Sequence, residues 1–423
     1  MTPTLFLVLA LLLPASGARA QFCPLGQTER RIVTCKPDTT MEQCRARALT
    51  AGCDVVRELP LIHAVVIEIP QERIYFAEAR LNAAPDVASV EDDAKVSWIK
   101  SLPDSFGAPS GLADLQKQLD ALKRSPAAAP SDAGSSEIPW GVARVGAPAE
   151  WAKTEGRGAK VGVIDTGIDA THPDLQGQVA GGVNIVDPSH PDAWADDMGH
   201  GTHVAGTIAA KRDGKGVVGV APEASLYAIK VLDKNGNGNY DDVIAGIQWA
   251  MDHGIKILNM SLGADQGTDA LHAAVIAARK AGVTIVAAAG NSGGAVGYPG
   301  AYPEVVSVAA SDSANHVAPF SSRGPEVDFI APGVDIRSTK MGGGYTTMSG
   351  TSMATPHVAG LAALAWSLGD RTPDAIVAAL KGAAHPIAGL TPDLEGSGMV
   401  LAGDLGGGAG LLGGPTYAMA SAR

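Results

Sequence analysis

From residue 138 onward the chain alternates short, predominantly apolar runs with longer mixed stretches. Residues 161–164, 226–231, 255–260, 284–289 and 305–309 read as buried strands. Such runs suit a parallel sheet covered on both faces. Segments 243–252 and 270–281 fall between them and read as helices. A longer apolar run from Val358 to Leu368 predicts a buried helix beginning just after Ser352, with Pro356 tolerated in its first turn. The pattern predicts an α/β unit with a mostly parallel sheet. Ligand chemistry in such sheets gathers beyond the carboxyl ends of strands, where Asp165 and Asn291 fall.

The first third reads differently. Residues 31–96 give a small α+β pattern: a strand at 32–35, a helix at 40–51, a strand at 64–69, a helix at 71–83 and an edge strand at 87–96. Before it, an apolar run at 5–13 is followed by Pro14 and Ala18-Arg19-Ala20, a signal-peptide pattern that leaves Gln21 as the new N-terminus. The usual basic n-region is missing. The run is too short to span a bilayer and no second one resembles a transmembrane helix, so the expectation is secretion without a membrane anchor. Residues 101–137 are dominated by Pro, Ala, Ser and Gly, apart from a short helical patch at 112–124, and read as a linker. The expected division is a signal peptide at 1–20, an N-terminal domain at 21–99, a linker at 100–137, a main domain at 138–405 and a glycine-rich tail at 406–423.

Composition changes this picture little. At 423 residues, 46% apolar and 18% charged, the chain has room for more than one domain and a large core. A net charge of −12 argues against nucleic acid or an anionic membrane as partner and favours solubility. All four cysteines, Cys23, Cys35, Cys44 and Cys53, lie near the N-terminus. In an exported segment they suggest two disulfides with three pairings open. A metal site is the weaker reading, because His63 is the only nearby histidine and no CxxC pair occurs.

The chemistry centres on Gly350-Thr351-Ser352-Met353-Ala354-Thr355-Pro356-His357-Val358-Ala359-Gly360. Ser352 has small neighbours and sits at the start of a helix, where free N–H groups favour developing negative charge. A serine needs a base to become a nucleophile. His200, in Gly199-His200-Gly201-Thr202-His203-Val204-Ala205-Gly206, is one, with His203 its rival; Asp165 stands in Val163-Ile164-Asp165-Thr166-Gly167-Ile168-Asp169. Three motifs in the order Asp, His, Ser resemble those of the subtilisin-like serine proteases, the subtilases, over about residues 138–405. The resemblance implies a three-layer subtilisin-like fold and a serine endopeptidase. Ser352 would attack the peptide carbonyl, His200 would move the proton and Asp165 would orient the imidazole, with His203 structural.

Further expectations come from the same resemblance. Asn291 would be an oxyanion-hole donor beside the Ser352 amide. Gly236-Asn237-Gly238 and Ser261-Leu262-Gly263 would pair with extended protein or peptide substrates, giving broad specificity with an apolar or aromatic leaning. Asp196-Asp197 and Asp241-Asp242 offer a minor basic-residue option. Residues 21–99 would be a ferredoxin-like pro-domain, an intramolecular chaperone and inhibitor, cut first near Trp98–Lys100, and the enzyme a monomer. A structural Ca2+ would use Asp174 and Asp213, although Lys211, Arg212 and Lys215 surround the second; no catalytic cofactor is expected. The competing readings are a catalytically silent subtilase scaffold used for binding, an independent N-terminal binding domain, an N-terminal domain that inhibits in trans, and an esterase. The esterase elbow would read G-x-S-x-G, which Gly350-Thr351-Ser352-Met353-Ala354 does not.

Overall fold

The computed structural model describes residues 27–100 and 137–406. The expected signal peptide, Cys23, nearly all of the linker and most of the tail lie outside the described residues.

The N-terminal unit is built from β1 (Thr28–Cys35), α1 (Met41–Thr50), β2 (Asp54–Leu59), β3 (Ala64–Pro70), α2 (Ile74–Asn82) and β4 (Val87–Asp92). Its four strands form an antiparallel sheet in the order β2-β3-β1-β4. Thr40 ends the chain's approach to α1 with a reciprocal cap: its hydroxyl takes the Gln43 amide, and the Gln43 side chain takes the Thr40 amide. Val33, Val65, Ile67 and Ile69 are fully buried under both helices with Cys35 and Cys44, which are disulfide-bonded. Cys53 is buried and joined to neither.

One expected element divides in two. The strand read across 87–96 stops as β4 at Asp92, and a separate β5 (Lys95–Ser97) leaves the sheet to pair with the main unit. The break falls at Asp93, whose side chain is claimed by groups of the main unit.

The main unit holds a seven-stranded sheet in the order β13-β12-β11-β10-β6-β8-β7. These strands are β6 (Lys160–Asp165), β7 (Val179–Asn184), β8 (Ser225–Lys230), β10 (Ile257–Met260), β11 (Thr284–Ala288), β12 (Val306–Ser311) and β13 (Phe329–Pro332). Every neighbouring pair is parallel. On one face lie α3 (His200–Ala209) and α6 (Thr351–Leu368), packed on one another. On the other lie α4 (Tyr240–Asp252) and α5 (Asp269–Lys280). A short strand β9 (Asn237–Asn239) precedes α4, a hairpin of β14 (Ile336–Thr339) and β15 (Tyr345–Met348) precedes α6, and α7 (Pro373–Gly382) follows it. Both faces of the sheet are dry, as the continuous apolar runs require. No described helix is long and apolar enough to cross a membrane.

Candidate active site

Asp165 is the last residue of β6, fully buried at the carboxyl end of a central strand. His200 opens α3, and its Nδ1 lies 2.9 Å from both carboxylate oxygens of Asp165. Of the two rival histidines, His200 is therefore the one paired with the acid. Burial alone would lower its pKa, but the Asp165 carboxylate outweighs that and raises it, with a further contribution from Asp196. Gly201 makes the approach feasible, since a Cβ there would run into the Gly167 carbonyl. His203 instead places Nε2 2.9 Å from the Ile336 carbonyl, and burial drives its pKa down to about 3.

Ser352 lies in the first turn of α6, which begins at Thr351 and not after the serine. Pro356 is consequently the sixth residue of the helix and not part of its first turn. That correction has a structural effect. Proline has no N–H to give the carbonyl four residues back, so the Ser352 carbonyl has no partner in its own helix. Ser261 Oγ donates to it at 2.8 Å and is itself held by Asn259 Nδ2 at 2.9 Å. In return the Ser352 hydroxyl donates to the Ser261 carbonyl at 3.1 Å, so it is not turned to His200. Ser261 thus supports the serine from behind and does not form a cleft edge.

Asn291 stands three residues beyond β11. Its Oδ1 accepts from the Thr351 amide at 2.9 Å and the Thr351 hydroxyl at 2.8 Å. This fixes the amide plane and leaves its NH2 end unclaimed by Thr351, on the pocket wall that Asn291, Thr351 and Ser352 share. Preorganised donors of this kind stabilise an oxyanion.

The other side of that pocket holds the chain's own backbone. β5 runs antiparallel to β9, with Val96 opposite Gly238. Trp98 then donates its amide to the Gly236 carbonyl at 3.0 Å, and its carbonyl receives the Gly263 amide at 3.0 Å. Its indole Nε1 donates to the Gly238 carbonyl at 2.9 Å, and the ring meets Tyr240 edge-on at 5.1 Å between centroids. Trp98 is 2% exposed, packed with Leu262 among the buried residues under α4. Gly238 is required, because a Cβ there would strike the Val231 carbonyl. Lys100 ends the described segment on Asp265.

Both acidic pairs are engaged by donors of the chain itself. Asp196 is buried among donors beside Asp165 and His200, and Asp197 is 2.7 Å from Lys230 Nζ. Asp241 and Asp242, in the first turn of α4, are covered by the N-terminal unit. Arg30 reaches Asp241 at 2.9 Å, and Arg57 reaches Asp241 at 2.6 Å and Asp242 at 2.8 Å. Sequence reading offers Asp196 only as a substrate-facing acid and misses Lys230, Thr166 and Asn259 as residues of the site. Thr166 carried a usable signal, since it follows Asp165 directly.

The calcium residues are only partly prepared. Asp174 accepts from the Val217 amide at 2.9 Å and lies against the Tyr345 hydroxyl. Asp213 carries Lys211 Nζ at 3.1 Å and accepts from the Lys215 amide at 3.2 Å. Among the described residues no three His, Cys, Asp or Glu side chains gather in a way that could hold a metal. As placed, the pair does not fit a cation, because an ammonium already sits on one carboxylate.

The parallel sheet, the Asp165–His200 pair and the serine at a helix start define an α/β hydrolytic enzyme. The subtilase family model matches residues 156–400, and the chain belongs to that family as a serine endopeptidase of the subtilisin type. It is 48% identical over 279 residues to an intracellular serine protease of Paenibacillus polymyxa, covering 63% of this chain and 85% of that one. It is 50% identical over 236 residues to subtilisin E of Bacillus subtilis, covering 54% of this chain and 61% of the relative. With the M-protease of Shouchella clausii it shares 42% over 303 residues, 70% of this chain and 78% of the other.

Proposed function

We propose that this endopeptidase is an exported, self-processing zymogen. In this reading Ser352 is the nucleophile, His200 the general base and then acid, Asp165 the residue that orients the imidazole, and Asn291 an oxyanion donor. Residues 21–99 form the pro-domain, 138–405 the peptidase, 1–20 a signal peptide, 100–137 a linker and 406–423 a tail. The observation that carries the proposal is the chain's own backbone lying in the cleft: β5 and Trp98 occupy both edges, Gly236–Asn239 and Gly263, as an extended peptide would. A bound strand there blocks substrates until it is cut and leaves.

In this reading the reaction runs through an acyl-enzyme. The Ser352 hydroxyl leaves the Ser261 carbonyl when a peptide carbonyl arrives, and its proton passes to His200. The imidazolium is stabilised by Asp165, and the same proton goes on to the leaving amine. Trp98 in its pocket supports an apolar or aromatic preference at that subsite, with Asp265 adding a preference for a basic residue two positions on. A calcium ion enters this proposal only if Lys211 leaves Asp213, so that two carboxylates and loop carbonyls supply oxygen ligands.

Intact-mass spectrometry on wild type and Ser352→Ala, secreted side by side from a protease-deficient host, tests the proposal. Wild type is expected to be cut between Trp98 and Ser136 while the variant stays whole. Two uncut chains would refute self-processing and favour the silent scaffold. Recovery of both chains only inside the cell would refute export, the behaviour that the Paenibacillus polymyxa relative's name describes for that protein.

A further inference from the structure

Asp196 stands outside the triad, yet its buried carboxylate is held by an unusually full set of donors. One oxygen accepts from the Thr166 hydroxyl at 2.8 Å, the Met198 amide at 3.0 Å and the Gly199 amide at 2.9 Å. The other accepts from the Thr202 amide at 2.9 Å and the Thr202 hydroxyl at 2.6 Å. Together these bonds fix both carboxylate oxygens in one orientation.

Each donor belongs to a segment that carries a triad residue. Thr166 follows Asp165, and its hydroxyl in turn accepts the Gly201 amide at 3.0 Å while its own amide donates to Asp165 Oδ1 at 2.7 Å. Gly199 and Thr202 flank His200. Gly199 is the N-cap of α3 and has no side chain to cap with. Asp196 therefore caps this helix from three residues upstream and ties it to the turn after β6.

There is an electrostatic reason to need it. His200 is the first residue of α3, where the positive end of the helix dipole disfavours a cation. The catalytic cycle requires an imidazolium at that place. The other charged groups around His200 are Asp165, the Lys230–Asp197 pair, whose ammonium also donates to the Thr166 carbonyl at 2.8 Å, and neutral His203. Burial works against the imidazolium, and Asp196 joins Asp165 in favouring it.

We infer that Asp196 is a positioning residue of this peptidase: it locks the Asp165 turn to the His200 helix and offsets the positive helix end that the imidazolium must face. The inference rests on the proposed base role of His200.

The test is the pH profile of kcat/KM for the processed Asp196→Asn enzyme on a small peptide substrate. Expected are a kcat lowered by ~10-fold or more, a KM within about twofold, and an acid limb moved to lower pH. Thr202→Val removes one bond but keeps the charge; its acid limb is expected to stay in place. A folded Asp196→Asn enzyme with unchanged kcat and acid limb overturns the inference. If that variant does not fold, Thr166→Val decides: it cuts the link between Asp196 and the Gly201 amide, and an unchanged kcat there overturns the inference equally. Failure of the base role itself shows up differently, as full activity in His200→Ala.

Discussion

At the seam between the two units, three carboxylates, Asp93, Asp241 and Asp242, face two guanidinium groups, Arg30 and Arg57. Glu68 adds a fourth acid at 4.0 Å from Arg30. Asp93 also accepts the Asp241 amide at 3.0 Å, which caps α4 from outside. The cluster carries more negative than positive charge. Burial, then repulsion from Asp242 and Asp93, pushes the Asp241 pKa up to about 8 despite both arginines, and burial raises that of Asp242 as well. Once the units part, Asp241 meets water at a helix N-terminus and returns toward the ordinary carboxylate range, about 3.9. Between those values the joined state holds the extra proton. The joined state is therefore favoured at low pH, and its advantage is lost as pH rises toward about 8. One linked proton is worth at most about 1.4 kcal/mol per pH unit, so the seam weakens as pH rises from about 6 and the effect levels off near about 8.

Hydrogen exchange on the full-length Ser352→Ala chain reads this directly, since no cleavage intervenes. The amides of Trp98 and Gly263 bond across the seam and report its opening. After correction for the intrinsic rate, their protection is expected to fall as pH rises from about 6 to about 8, by at most about tenfold per pH unit, while amides of β10 in the central sheet hold. Asp241→Asn carries no titrating proton there, so its protection should vary far less with pH. Protection at Trp98 and Gly263 that is constant or rises with pH would show the reasoning to be wrong.

Asn291→Ala should leave folding intact and reduce kcat by ~10²–10³-fold with a small change in KM, a magnitude taken from subtilisin itself and not worked out from this structure; steady-state kinetics on a peptide anilide check it. His203 and His357 are buried and neutral, with pKa values pushed down to about 3 and about 4 by burial, so the unfolded chain binds their protons first as pH falls below about 6.5. Together they should make Ser352→Ala about 4 kcal/mol less stable at pH 5 than at pH 7 before other groups count, and urea unfolding at the two values that gave equal midpoints would contradict this. A Cβ at Gly141 would run into the His357 imidazole and lie 3.1 Å from Pro332 Cβ, so Gly141→Ala should cost about 1–3 kcal/mol, seen as a lower Tm in the same background.

Among the strands of the main sheet, the legible ones are those buried over most of their length. β6, β8, β10, β11 and β12 are covered on both faces, and their runs stand out for that reason. β7 escaped because Val179–Asn184 contains Gly181 and Gly182 and half faces outward; β13 escaped because Phe329–Pro332 is four residues ending in proline. β2 alternates exposed and half-buried positions without an apolar run. Asp165 and His200 were legible from their motifs, and in the fold His200 Nδ1 lies 2.9 Å from the Asp165 carboxylate. What sits behind them was not. Lys230 reads as a blemish in an apolar strand, and only the fold shows its ammonium meeting Thr166, Asp197 and Leu232.

The acidic pairs explain why such residues mislead. Asp-Asp next to a catalytic motif reads as a lure for basic substrate side chains, because isolated carboxylates are ordinarily solvated. Here each pair divides its labour by depth. Asp196 is buried with five donors from the segments that bear Asp165 and His200, while Asp197 is half exposed on Lys230. Asp241 is fully buried under two arginines supplied by residues more than 180 positions earlier in the chain, and Asp242 also accepts the Asn239 amide. A neighbour in sequence says nothing about donors brought from another strand or another unit. The charge that matters to His200 and the charge that matters to the seam are thus set by tertiary contacts. The same contacts make both sensitive to a single Asp→Asn exchange that leaves shape almost unchanged.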